Sequence, residues 1–199
     1  VKKDEHAEEA YGYSFEKLLI KAHELGLGTV WIGGAMQRDK FAAASNVSEG
    51  EILPCVSPIG TTANSMSIKE KLMRKGVKAD KRFDFEKLFF TKNFTAPLSE
   101  ESAKNLDLYK ALEAIRVAPS AVNKQPWRIV IEDNAAHFYL RHDKGYANDD
   151  FDMQKIDLGI ALYHFEQQLL SEGKSVSLEI TSPDIQAPDG VEYIATYKF

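Results

Sequence analysis

Apolar and polar positions alternate along this chain in two rhythms, one helical and one extended. Over residues 12–26, Phe15, Leu18, Leu19 and Ala22 fall at helical intervals, Leu25 extends the stripe and Gly26 is placed to end it. Leu27–Ile32 then reads as a short buried strand closed by Gly33-Gly34, and a second helix is expected from about Gln37 to Ser45. Ile52–Ile59 is apolar but interrupted by Pro54 and Pro58, which suits an edge or irregular strand. Phe83–Phe90 is aromatic-rich and should dock on a core. Ser99 is a candidate cap for a helix running to about Val117, with Leu108, Leu112 and Ile115 on one stripe.

The extended rhythm takes over after residue 127. Arg128–Glu132 and His137–Arg141 read as two strands about an Asp133-Asn134 turn, and Gly145–Asp150 as a polar loop. Residues 152–172 predict the most apolar helix, wide enough in its stripe to be buried on more than one side. Ser175–Ile180 and Val191–Phe199 complete the chain as strands.

Two of these helices echo one another. Gly12 and Gly26 stand at the same interval as Gly159 and Gly173, with apolar positions corresponding between them and a strand after each second glycine. An internal repeat would place two related halves in one chain.

Composition narrows the function classes. With 199 residues, 44% of them hydrophobic, the chain can bury a sizeable core. A formal net charge of -5 argues against nucleic acid as a partner, because phosphate neutralisation needs an excess of Lys and Arg. The positive charge that is present gathers in Thr61–Arg82, which reads as a basic connector. A single cysteine, Cys55, rules out an internal disulfide framework, and the five histidines lack metal-ligand spacing. Leu25-Gly26-Leu27-Gly28 leaves a helix and enters a strand, the reverse of a dinucleotide-binding turn. No apolar run reaches membrane-spanning length, so the expectation is a cytoplasmic globule without membrane or nucleic-acid partners.

The most informative stretch is Ala118–Trp127. Pro119 and Pro126 stiffen a loop between a helix and a strand, and Ser120, Asn123 and Gln125 give it neutral hydrogen-bonding groups. Such a loop can hold a flat polar ligand and offers little for acid–base chemistry. Its sequence resembles the flavin-contacting Pro-Ser-x-x-Asn-x-Gln-Pro-Trp pattern of the FMN-dependent nitroreductase family, with every fixed element present: Pro119, Ser120, Asn123, Gln125, Pro126 and Trp127.

The resemblance runs from about Gly12 to Ser171 and is strongest to a branch of the family built as a fused single-chain pseudo-dimer. It implies a nitroreductase-like α+β fold of two pseudo-symmetric halves, central helices packed on small antiparallel or mixed sheets. On that reading residues 1–60 are the later part of a first half, 61–82 the connector and 83–199 the second half. The family's Arg-x-Ser-x-Arg phosphate stretch is not in this sequence, and the expectation places it upstream of Val1.

By the same resemblance FMN would lie between the halves, approached by Pro119, Ser120, Asn123 and Gln125 from one side and by Gly33 and Gly34 from the other. Lys81 and Arg82 are the expected phosphate partners, and no metal or dedicated catalytic side chain is expected. The implied activity is transfer of reducing equivalents from NAD(P)H to a nitro, quinone or similar small-molecule acceptor, in a chain that needs no second subunit. The alternative reading is a non-catalytic flavin-binding or structural relative on the same fold.

Overall fold

The computed structural model describes residues 1–148 and 150–199. In chain order they form α1 (Ala7–Glu24), β1 (Gly28–Thr29), α2 (Arg38–Ala44), β2 (Ile59–Gly60), α3 (Ile68–Gly76), α4 (Phe85–Leu88), β3 (Phe89–Thr91), α5 (Glu100–Asn105) and α6 (Tyr109–Val117). There follow β4 (Trp127–Glu132), β5 (Ala135–Arg141), α7 (Met153–Ser171), β6 (Ser177–Glu179) and β7 (Val191–Lys198). The fold is mixed α+β. One sheet has the order β3-β4-β5-β7-β6, parallel between β3 and β4 and antiparallel elsewhere; β1 and β2 form a separate antiparallel pair.

The larger sheet follows from period-two burial. Trp127, Ile129 and Ile131 of β4, with Ala136, Phe138 and Leu140 of β5, turn one face towards the helices and join the main core with Leu112, Ile115, Leu158 and Phe165. The β4–β5 turn is closed by Asp133 in the left-handed region, φ 49°. α7 lies against α1, α6 and this sheet, which is why its burial extends nearly all round. Asp152 caps it, its side chain accepting a bond from Gln154 N at 2.8 Å.

α1 and α7 meet backbone to backbone. A Cβ on Gly12 would stand 2.1 Å from the Ile156 carbonyl oxygen, and one on Gly159 would stand 2.0 Å from that of Glu9. Only glycine at both positions permits this approach. The contact also corrects the stripe predicted for α1. Leu19 and Ala22 are buried, but Leu18 and Leu25 are 52% and 68% exposed, and the buried line instead runs through Glu9, Gly12 and Glu16. Glu16 is held inside by Trp31 Nε1 and His164 Nε2, both at 2.8 Å, so a carboxylate occupies a position where an apolar residue would be expected.

Other elements differ from expectation for local reasons. The single helix expected to run from residue 99 to 117 divides at Asp107, φ 55°, where Leu108 N turns back to Ala103 O. The strand expected over Leu27–Ile32 shortens to Gly28–Thr29 plus one bridge, Ile32 to Val56. The connector contains a helix, α3, capped by Ser67 Oγ accepting from Glu70 N at 3.1 Å. In the polar loop 145–150, Asn148 Oδ1 accepts from Asp150 N and Phe151 N, and Asp149 lies outside the described residues. Among the described residues no helix is long and apolar enough to cross a membrane.

Candidate functional site

The Ala118–Trp127 segment leaves α6 with Ala118 extended, as the following proline favours, whereas Gln125, expected to be extended before Pro126, is left-handed because the loop folds tightly around it. Val122, Asn123 and Gln125 all take left-handed backbone, φ 51°, 56° and 49°. For a β-branched residue such as Val122 this is a true outlier, costing on the order of 1–3 kcal/mol, and it persists only where surrounding contacts over-determine it.

Those contacts come from three directions. Inside the loop, Ser120 Oγ accepts from Gln125 N at 2.9 Å and Asn123 N donates to Ser120 O at 3.0 Å. From the connector, Asn123 Nδ2 donates to Lys78 O and Lys81 O at 2.8 and 2.9 Å, while Gln125 Oε1 accepts from Phe83 N at 2.9 Å. Arg82 ties the same parts together, donating to Ala79 O, Lys81 O, Val117 O and, at 3.3 Å, Asn123 Oδ1. From α7, both carboxyl oxygens of Asp157 accept from Ala121 N at 3.0 and 3.1 Å. Asp157 is buried, and desolvation holds its carboxyl well above the usual carboxylate range despite that backbone bond.

Gly33 and Gly34 stand on the other side of the same helix end. A Cβ on Gly33 would meet Met153 and Cys55 side chains at 2.9–3.1 Å, while Gly34 faces open space. Arg38 Nη2 donates to Gly33 O at 3.1 Å and fixes the turn. Met153 and Asp157 are one helical turn apart on α7, so the glycine pair and the proline loop are both referred to its first turns. Cys55 is buried beside Met153, and burial pushes its thiol up to about 12, which leaves it unreactive as a thiolate.

A family model described as "Putative TM nitroreductase" matches residues 1–169. The chain belongs to this nitroreductase family. A crystal structure titled as a "putative nitroreductase" from Thermotoga maritima superposes with a TM-score of 0.55 at 20% identity, over 96% of this chain and 63% of that one. At that identity the superposition speaks for the fold, and this chain spans 63% of the relative's length. Among curated proteins, none matches it.

For this nitroreductase-family chain the structure separates the expected cofactor residues into groups. Pro119–Gln125 and Lys81–Arg82 are brought into direct contact, whereas Gly33 and Gly34 join them only through α7. Ser120, Asn123 and Gln125 turn their polar atoms inward and leave Pro119 and Val122 exposed as an apolar rim, while Lys124 reaches out to Asp143 at 3.8 Å. The Asn123 amide is committed to the connector rather than turned outward. Arg82 spends Nη1 and Nη2 on carbonyl oxygens and leaves its buried Nε without a described partner; Lys81 is exposed and, among the described residues, in no ion pair. Asp157 went unread in the sequence. Its signal is a lone carboxylate in the apolar run Ile156–Leu162.

Proposed function

We propose that this chain acts as an FMN-dependent oxidoreductase of the nitroreductase type, passing reducing equivalents from NAD(P)H to a nitro, quinone or similar acceptor. The observation that carries the reading is the strained loop at Pro119–Gln125, whose family-matching residues are held in one conformation from three sides. FMN, when bound, supplies the redox chemistry, and the protein contributes position and environment.

The residues divide that work. Asp157 holds Ala121 N and so fixes the height of the rim above α7. Asn123 and Arg82 lock the loop to the connector, Pro119 and Val122 present the ring-facing surface, and Gly34 leaves room for close approach from the opposite side. Lys81 is the cation free to meet a phosphate. No side chain is required to hold or move a proton in hydride transfer, in keeping with a site made of amides and backbone.

Residues 1–60 and 83–199 are read here as two pseudo-symmetric halves, so that the chain completes its own site as a monomer. Support comes from α1 and α7, whose glycines and closing turns correspond. Gly12 meets Ile156 O and Gly159 meets Glu9 O; Leu27 N turns back to Ala22 O, and Lys174 N to Leu169 O. Gly26 and Gly173 follow with φ 77° and 78°.

The test is the visible spectrum of the protein after mixing with FMN and desalting, then adding NADH or NADPH without oxygen. A retained flavin band that bleaches is expected. Asn123→Leu, which cuts the loop from the connector, should lower retention at least about tenfold, the worth of two lost hydrogen bonds. A band that is retained but never bleaches would assign a binding role without turnover, and a colourless protein would overturn the flavin reading.

A further inference from the structure

The face of the larger sheet turned away from the helices carries a cleft of about 270 Å³ lined by Phe83, Glu86, Lys87, Phe90, Arg128 and Arg141. Arg128 follows Trp127 and precedes Ile129, both of which point into the helix-covered core, so its own side chain points to the opposite face. It lies opposite Tyr139 across the β4–β5 ladder, with Arg141 diagonal to it on the same face. None of the loop–α7 contacts involves this side of the sheet.

Arg128 is only 8% exposed, yet among the described residues no carboxylate pairs with it. Its Nη1 donates to Trp127 O at 2.6 Å and Gln125 O at 3.2 Å, while Nε and Nη2 have no described partner. Arg141 is exposed and, among the described residues, equally without an ion pair. Lys87 is held by Asp84 at 2.6 Å, an exposed pair of small worth. Two guanidiniums thus share one cleft with Glu86 as the local acid. Burial and the charge of Arg141 push Arg128 down to about 10, against a partial offset from Asp143. Arg128 Nε and Nη2 open onto the cleft, where an anion can reach both guanidiniums.

The arrangement is selective for one kind of anion. Two unpaired guanidiniums match the double charge of a phosphomonoester and can grip its oxygens bidentately. Phe83 and Phe90 supply a flat apolar wall beside them. The cleft exceeds the roughly 150 Å³ of a cavity that admits a benzene-sized ring. We infer that this cleft binds a small phosphomonoester carrying a ring-sized apolar group, held by Arg128 and Arg141 against Phe83 and Phe90.

The cleft adjoins the proline loop, since Phe83 N and Arg128 Nη1 both bond to Gln125, but its binding of a phosphomonoester is tested without flavin. Phenyl phosphate titrated into the protein by calorimetry is expected to bind at one site. Inorganic phosphate, with charge but no ring, and benzyl alcohol, with a ring but no charge, should each bind at least about tenfold more weakly. Arg141→Gln, an exposed change, should weaken phenyl phosphate about tenfold while leaving the melting temperature and FMN retention unchanged. Arg128→Met should abolish binding; were that variant to unfold, Arg141→Gln alone decides. Equal affinity in Arg141→Gln, equal affinity for inorganic phosphate, or no binding of phenyl phosphate would each overturn the inference.

Discussion

Asp157 shows how one buried carboxyl can govern a loop it does not belong to. Its two oxygens face a single backbone donor, Ala121 N, and desolvation raises its proton affinity well above that of an exposed aspartate. In the unfolded chain the group ionises near the ordinary value of about 3.9. Between that pH and its own raised value the folded chain holds the extra proton, so stability falls as pH rises through the interval. Asp157→Asn keeps an oxygen for Ala121 N and removes the titration. Its stability relative to the parent should therefore climb as pH is raised from about 4.5, by up to about 1.4 kcal/mol per pH unit while the folded group stays protonated. Urea midpoints at several pH values measure this, and a flat difference would show Asp157 to be ionised throughout. The comparison cancels other raised groups, Glu9 among them. At this scale the sequence was readable at Ala118, extended before Pro119, but not at Gln125, where the bonds to Ser120 and Phe83 override the bias that Pro126 imposes. It was silent on partners: nothing in the letters said that Asn123 would face Lys78 and Lys81, contacts made across more than forty residues.

At the scale of elements, the helix pair is held by what is missing from it. Gly12→Ala or Gly159→Ala drives a methyl into a carbonyl group, and the neighbour is backbone that cannot rotate away. Overpacking of this kind costs about 3 kcal/mol, more than the roughly 1 kcal/mol that alanine gains in helix propensity. Either substitution should lower the denaturation midpoint. The double variant should cost less than the two single losses together, because a helix pair already forced apart by one methyl admits the second. Additive losses would mean that the two contacts yield independently. Element existence was largely legible, since periods of two and of about 3.6 survive in β4, β5 and α7. The face of α1 was not, because Glu9 and Glu16 lie on its buried line and hydrophobic counting rotates the stripe towards Leu18 and Leu25. The break at Asp107 was equally hidden; an aspartate in left-handed backbone looks like any helix-surface residue.

For the whole molecule, the main core is made of residues from Phe85 to Tyr197, and residues 1–60 reach it chiefly through α1 on α7. Between them residues 61–73 are exposed without exception, and Lys69, Lys71, Arg74 and Lys75 lie within or beside that stretch. Brief trypsin treatment should cut there first, and the two pieces should still travel together on gel filtration because the helix contact survives the nick. Earlier cleavage elsewhere, or separation of the pieces, would count against this division of the chain. The basic run within residues 61–82 was legible by its charge. Its helix was not read, although Ser67 and Glu70 stand at capping-box spacing, because the basic residues around it drew the reading towards solvated coil.

The glycine contact has a further consequence. Each central helix offers the other a glycine and takes a glycine in return, so the same contact can form between α1 of one molecule and α7 of another. Such an interface does not distinguish strongly between its own chain and a neighbour. Joined by an exposed connector, the two parts can exchange between molecules as readily as they close on one another, and only the high effective concentration within a single chain favours the closed form. Refolding from concentrated solution therefore selects between a monomer and a reciprocally exchanged pair, with the same helix contact at the heart of both.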